Sequence, residues 1–357
     1  PMMSRAELLG QMMKNYHHAV AVAGTHGKTT TTSMLTEILL AADQNPTISV
    51  GGILPSIGGN IRIGGQELFV TEACEYTNSF LSFYPTIGVI LNIEADHLDF
   101  FKDLDDIKQS FRRFAQLTPQ DGHIVANADD AGAMDALKGL PLFTFGCCEG
   151  ADCQARNLTW QHGRPDFDVV AGGEVYTHLS LRVAGLHNVY NALAAASAAY
   201  VLGIPGKAVR QGLEGFFGAG RRFELKGQYN GARIYDDYAH HPAELHALLD
   251  MAKSLGYDRV ICAFQPHTYT RTKALFEDFV QELQIADVVV LTDIYAAREQ
   301  NTIGISSRDL ADRIPNAYYC PSLQDAAEKL REIARAGDLI ITVGAGDIYT
   351  VGERLIS

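Results

Sequence analysis

Lys28 and Thr29 close the run Gly24-Thr25-His26-Gly27-Lys28-Thr29, which follows an apolar stretch from Ala19 to Ala23 and leads into helix-forming residues. Strand, glycine loop and helix in that order wrap a phosphate chain, because loop and helix N-terminal N–H groups point at the anion. The Lys28 ammonium can reach terminal phosphates, and the Thr29 hydroxyl can bind the accompanying Mg²⁺. The spacing departs from the common phosphate loop: Gly24 and Gly27 stand three apart, and Val22 occupies the place of the first glycine. A glycine turn that merely starts a helix is the alternative, but it leaves the Lys-Thr pair unexplained. ATP binding is therefore the expectation, with Gly24, Thr25, His26, Gly27, Lys28, Thr29 and Thr30 as its phosphate-binding segment.

Acids gather around the same chemistry. Glu72 directly follows the apolar stretch Leu68 to Thr71, with Glu75 three residues on. Ligands collect at the carboxyl ends of strands in open α/β sheets, so a carboxylate there can meet a metal held by Thr29. Asn92-Ile93-Glu94-Ala95-Asp96-His97-Leu98-Asp99 also follows an apolar strand. A histidine and carboxylates suit Mg²⁺ or Mn²⁺ that must also hold phosphate oxygens. Taken alone, Glu72 also reads as a surface acid and His97 as a structural histidine; their shared position at one sheet edge favours metal ligation.

Further along, His187-Asn188-Val189-Tyr190-Asn191 puts two amides three apart on one helical face, where they can read a purine edge or simply cap the helix. Arg221-Arg222 is either a solvated pair or a cation reaching over ATP from a hinge. Asp236-Asp237-Tyr238-Ala239-His240-His241-Pro242 and Gln265-Pro266-His267-Thr268-Tyr269-Thr270-Arg271 each end a strand and start a helix, so together they form a cleft wall for a small substrate. Asp236 and His240 also suit helix caps. Gly344-Ala345-Gly346-Asp347 lacks the third glycine of a dinucleotide turn and carries little weight as a cofactor site.

The elements that must hold these residues follow from periodicity. Residues 28–41, 104–117 and 186–202 read as helices, and 86–91 as a buried strand. Stretches 61–63 and 67–71 around Gly64-Gly65 read as a hairpin, and 151–184 as a small antiparallel subregion. Beyond Gly220 the pattern is regular. Strands at 232–236, 259–264, 287–291, 317–320 and 338–343 alternate with helices at 242–255, 272–284, 306–314, 322–335 and 347–356, which means a parallel sheet covered by helices. The expected organisation is α/β throughout. A linker or helix spans 1–18, a P-loop-type central ATPase domain 19–222, and a Rossmann-like doubly wound domain 223–357.

At 357 residues the chain can bury two cores, and its composition, 47% hydrophobic and 20% charged, is that of a globular protein. A net charge of −13 with no Lys/Arg cluster argues against a nucleic-acid surface. The six cysteines form no C-x-x-C pair and read as free thiols of a reducing compartment. No apolar run reaches ~18 residues, so neither membrane span nor signal peptide is expected, and the location is cytoplasmic.

With the motifs in order, the chain resembles the Mur ligase family. The carriers are GTHGKTTTT (24–32), EACEY (72–76), NIEADHLD (92–99), HNVYNALAA (187–195), GRRFE (220–224), DDYAHHP (236–242) and QPHTYTRT (265–272). The resemblance implies ATP-dependent joining of L-alanine to the lactyl carboxylate of UDP-N-acetylmuramate in peptidoglycan synthesis. It implies an acyl phosphate, then attack by the alanine amine and expulsion of phosphate. By resemblance, Lys28 and Thr29 hold phosphates and the first metal, and Glu72 and His97 are metal ligands. Asn188 and Asn191 contact the adenine side; Arg222, Asp237, His267 and Arg271 come from the second domain.

Members of the family depart from this chain at Cys74 and Thr77, where many have acids, and at Thr268, where many have arginine. That leaves Arg271 as the anchor for the alanine carboxylate. Members also carry a UDP-binding domain ahead of the loop, and residues 1–10 resemble the linker that follows it. Weak affinity for the UDP substrate with retained ATP binding is the expectation from that difference. A sister ligase that attaches a preformed peptide has a similar loop, but EACEY and NIEADHLD favour the alanine-adding reaction. Folylpolyglutamate synthetase matches DDYAHHP less well. An ATP-binding module without turnover is the remaining alternative.

Overall fold

The computed structural model describes residues 2–98 and 100–356, so Asp99, the last residue of the NIEADHLD motif, lies outside the described residues. The chain divides into two compact units, Pro1–Ala219 and Gly220–Ser357.

The first unit begins with α1 (Arg5–Met13), β1 (His18–Ala23), α2 (Lys28–Ala41), β2 (Thr47–Leu54), β3 (Gly59–Arg62), β4 (Leu68–Glu72) and β5 (Ile87–Ile90). It continues with α3 (Leu104–Ala115), β6 (His123–Asn127), α4 (Ala131–Ala136), β7 (Leu142–Gly146), β8 (Cys153–Gln161), β9 (Arg164–Ala171) and β10 (Glu174–Ser180). Helices α5 (Leu186–Val201) and α6 (Gly206–Glu214) complete it. The strands form one ten-stranded sheet in the order β10-β9-β8-β7-β6-β5-β1-β4-β2-β3. From β8 back to β2 successive neighbours run parallel; β8, β9 and β10 form the antiparallel end.

β1 lies mid-sheet and splits its side chains between two cores. Val20 and Val22 join Leu35, Ile38 and Val189 on the face of α2 and α5. Ala19, Ala21 and Ala23 face the other core. Their small side chains suit a layer crowded by Phe80, Phe111 and Phe114, where Phe80 stacks on Phe114 at 4.7 Å and meets Phe111 edge-on at 5.2 Å. A strand buried on both faces has no polar alternation, which is why residues 19–23 read as a continuous apolar run.

The hairpin expected around Gly64-Gly65 does not form. β3 pairs antiparallel with β2, whereas β4 runs parallel to both β1 and β2. Gly64 is a close-approach glycine: a Cβ there would lie 2.2 Å from the Asn45 carbonyl oxygen, and its N–H donates to Thr47 Oγ1 at 2.9 Å. The segment therefore packs back on residues 45–47 instead of turning.

The second unit comprises β11 (Glu224–Tyr229), β12 (Ala232–Asp237), α7 (Pro242–Ser254), β13 (Arg259–Phe264), α8 (Tyr269–Ala274), α9 (Phe276–Leu283) and β14 (Val288–Leu291). After these come α10 (Ser307–Ala311), β15 (Ala317–Tyr319), α11 (Leu323–Ile333), β16 (Asp338–Val343) and α12 (Tyr349–Ile356). Its sheet runs β11-β12-β16-β13-β14-β15, parallel except for β11. On one face Ala326, Leu330, Val351 and Leu355 of α11 and α12 pack with Ile234, Ile261 and Ile340. The single helix expected at 272–284 is two, because Leu275 (φ −110°, ψ 26°) breaks the helical run between α8 and α9. Among the described residues no helix is long and apolar enough to cross a membrane.

Candidate active site

In the first unit the chemistry lies at the carboxyl ends of β1, β4 and β5. Gly27 caps α2 in the left-handed region, φ 85°, and turns the chain from loop to helix. Beneath it lies Asn191 of α5, whose Oδ1 accepts from Thr31 Oγ1 at 3.2 Å while its Nδ2 donates to Asn188 Oδ1 at 3.2 Å. Asn188 in turn donates to the Ala184 carbonyl at 2.7 Å. Both amides are thus buried and bonded inside the unit, bracing the loop from below. The loop is tied to the segment after β5 as well: Asn92 accepts from the His26 N–H at 2.8 Å, and Thr25 Oγ1 accepts from the Glu94 N–H at 2.9 Å.

Lys28 is folded onto its own loop. Its Nζ donates to the Gly24 carbonyl at 2.5 Å, the Thr25 carbonyl at 3.2 Å and the two Glu75 oxygens at 3.1 and 2.9 Å. Burial is the largest single influence and works against the charge, but Glu75, Cys74 and Glu72 together outweigh it and hold the ammonium above its ordinary range. Neighbouring Cys74 is pushed up by burial and by Glu75, which keeps it a thiol. His97 reaches the same carboxylate, Nε2 to Glu75 Oε1 3.6 Å, and lies 3.7 Å from Asp96 Oδ2. Its backbone sits at φ 53°, an uncommon conformation for a non-glycine residue, with its N–H donating to Asp96 Oδ1 at 2.7 Å.

Thr29 and Glu72 make a second pair. The Thr29 hydroxyl donates to Glu72 Oε2 at 3.1 Å, and the Gly51 N–H donates to Oε1 at 2.5 Å. A Cβ on Gly51 would lie 2.7 Å from Oε2, so a larger residue there would push this carboxylate from its place. A hydroxyl, a carboxylate and an imidazole at one sheet edge are donors that suit a hard divalent cation.

In the second unit the strand ends carry another cluster. Asp237, at the end of β12, accepts from the Phe223 N–H at 2.7 Å and the Ala239 N–H at 2.8 Å. Burial raises its pKa to about 6, against the pull of Arg222 and the two amides. Arg222 lies 5.3 Å from the Tyr238 ring centre. Arg221, by contrast, is structural: it donates to Asp236 Oδ2 at 2.8 Å and to the carbonyls of Gly344 and Gly346 at 2.6 and 3.1 Å. After β13, His267 faces His240 edge-on at 5.9 Å and stacks on Tyr295 at 5.6 Å. Arg271 Nη1 is 3.4 Å from His267 Nδ1. Gln265 is locked to Asp347 by two hydrogen bonds of 2.9 and 3.0 Å, which tie the Gly344–Asp347 turn to the end of β13. Helix α7 is capped by His241, whose Nδ1 accepts from the Ala243 N–H at 3.3 Å.

The structure therefore gathers Gly24 to Thr30, Glu72, His97, Asn188 and Asn191 in the first unit, and places Arg222, Asp237, His267 and Arg271 at strand ends of the second. Tyr295 was not among the expected residues; Glu75 was noted beside Glu72 as an acid of the same strand end, but its pairing with Lys28 was not. Tyr295 follows the end of β14, and its position after a parallel strand was the signal available. The Lys28–Glu75 pairing carried no signal, because it spans 47 positions.

Mur ligase domain models match this chain: the middle domain over residues 22–199 and the "Mur ligase, glutamate ligase domain" over residues 221–346. The chain belongs to the Mur ligase family. It is 50% identical to the UDP-N-acetylmuramate–L-alanine ligase of Caldanaerobacter subterraneus, over 100% of this chain and 79% of that one. The corresponding ligase of Agathobacter rectalis is 51% identical over the same shares. Among solved structures, the UDP-N-acetylmuramate–alanine ligase of Thermotoga maritima superposes with a TM-score of 0.81 at 28% identity, covering 98% of this chain and 77% of the other. A murein peptide ligase of Psychrobacter arcticus gives 0.73 at 26% identity, with 99% and 80% covered.

Proposed function

We propose that this chain is a ligase that forms a C–N bond between the lactyl carboxylate of UDP-N-acetylmuramate and L-alanine, with ATP converted to ADP and phosphate, in peptidoglycan biosynthesis. The observation that carries the reading is the convergence of Lys28, Thr29, Glu72 and His97 at the carboxyl edge of one parallel sheet, around a loop built for phosphate.

The obstacle in this reaction is charge. A carboxylate oxygen must attack the γ-phosphorus of a polyanion as ADP leaves, so stabilising negative charge is the main catalytic task. Backbone N–H groups of Gly24 to Thr30 and the start of α2 face the phosphates in this reading, and Lys28 supplies a mobile cation. Thr29, Glu72 and His97 would hold Mg²⁺, which supplies charge neutralisation and fixes phosphate oxygens. Asn188 and Asn191 serve the nucleotide side through the loop they brace. Arg222 and Asp237 are assigned to nucleotide binding; His267 and Arg271 are assigned to the amino acid, with the guanidinium on its carboxylate. The alanine amine then attacks the activated carbonyl carbon, loses a proton and expels phosphate.

Phosphate release from ATP is the deciding measurement, with Mg²⁺, UDP-N-acetylmuramate and L-alanine omitted in turn. Release that needs all three is expected. ATP binding with no release under any combination would favour a nucleotide-binding module without turnover, and release with a peptide in place of alanine would favour the peptide-adding sister ligase.

A further inference from the structure

Glu75 has no part in the reading above, yet it occupies the centre of the first site. It is only 3% exposed, and its carboxylate faces the Lys28 ammonium on one side and His97 on the other. An ammonium has three donors. Those of Lys28 are met by Gly24, Thr25 and Glu75, all within the loop and its wall. A lysine so engaged cannot also hold phosphate oxygens. To do so it must leave Glu75, and a buried carboxylate stripped of its cation is strongly disfavoured. A proton or a second cation must take its place as the first departs. The carboxylate oxygens are hard donors, and the imidazole assigned to metal ligation is already 3.6 Å away.

We propose that Glu75 exchanges Lys28 for a divalent cation when nucleotide draws Lys28 to its phosphates. Glu75 is thereby a cation ligand of the nucleotide-bound state and the residue that makes ATP and cation binding mutually dependent. The inference rests on the proposed ATP chemistry. Linkage makes the dependence reciprocal: whatever factor the cation adds to ATP affinity, ATP adds to cation affinity.

Two binding measurements test it. In the first, Mn²⁺ is titrated into nucleotide-free protein and followed by electron paramagnetic resonance. Lys28→Gln frees Glu75 and should bind Mn²⁺ about tenfold tighter than the unaltered chain, and Lys28→Gln/Glu75→Gln should return to the starting affinity. In the second, ATP is titrated calorimetrically with Mg²⁺ and with chelator. Without Mg²⁺, Glu75→Gln should bind ATP about tenfold tighter than the unaltered chain, because no buried ion pair must be broken, and Mg²⁺ should add correspondingly less affinity. Glu75→Asp should restore part of the cation dependence. Equal Mg²⁺ enhancement in both proteins, or no gain of Mn²⁺ affinity in a folded Lys28→Gln, overturns the proposal. Should the unaltered chain bind no ATP, the proposed function fails instead, and the Mn²⁺ arm still judges Glu75.

Discussion

A carboxyl group buried at the end of a strand, as in Asp237, ties stability to pH in an unusual direction. Its pKa is 3.8 in an ordinary setting and about 6 in the folded protein. The folded chain therefore holds this proton more tightly than the unfolded chain does. Its contribution to stability is complete below pH 3.8 and is lost as pH rises through about 6. The opposite trend holds for the usual salt-bridged acid. Asp237→Asn removes the titration while leaving one acceptor for the Phe223 and Ala239 amides. The substitution costs a hydrogen bond at every pH, and that constant cost cancels when pH values are compared. Relative to the unaltered chain, the variant should gain up to about 3 kcal/mol between pH 4 and pH 8. Denaturant unfolding of both proteins across that range reads it directly; parallel stability curves would remove Asp237 from the account.

At the level of elements, the phosphate loop depends on how closely α5 approaches the start of α2. A Cβ on Gly27 would lie 2.5 Å from Asn191 Oδ1, and φ 85° is costly for any other residue. Gly27→Ala should lower stability by about 2 kcal/mol and abolish measurable ATP binding. Asn191→Ala alone should cost about 1–3 kcal/mol, since Thr31 and Asn188 lose a buried partner. Together the two should cost less than their sum, because the clash disappears with the amide while the backbone strain stays. A sum that is strictly additive would mean that the two residues do not touch. The same elements show what the sequence could and could not reveal. The loop was legible because strand, glycines, Lys28 and α2 are contiguous. The regular alternation after Gly220 was legible for the same reason. Gly64 misled because turn glycines and close-approach glycines look alike until the partner, here Asn45, is known. β11 went unread although Asn230-Gly231, both at positive φ, is a strong hairpin signal; its half-exposed strand lacks a clear apolar pattern. The Lys28–Glu75 pairing and the Asn191 brace were out of reach, because each acts across a separation that only folding closes.

For the whole molecule, the division at Ala219 and Gly220 has a thermodynamic consequence. Each unit has its own core, so each can melt as its own cooperative step. The chain carries one tryptophan, Trp160, on β8 of the first unit. Tryptophan fluorescence therefore follows the first unit alone, whereas far-ultraviolet circular dichroism follows both. The phosphate loop is also in the first unit. ATP at about a hundred times its dissociation constant stabilises the state that binds it by about 2.7 kcal/mol. For a unit of this size that raises the midpoint by roughly 5–10 °C. The fluorescence transition should move by that amount on adding ATP with Mg²⁺, and the dichroism trace should gain a second component that stays in place. Glu75→Gln should retain most of the shift when Mg²⁺ is withheld, whereas the unaltered chain should lose most of it. If fluorescence and dichroism instead move together by the same amount, the two units unfold as one, and nucleotide held by the first also stabilises the second.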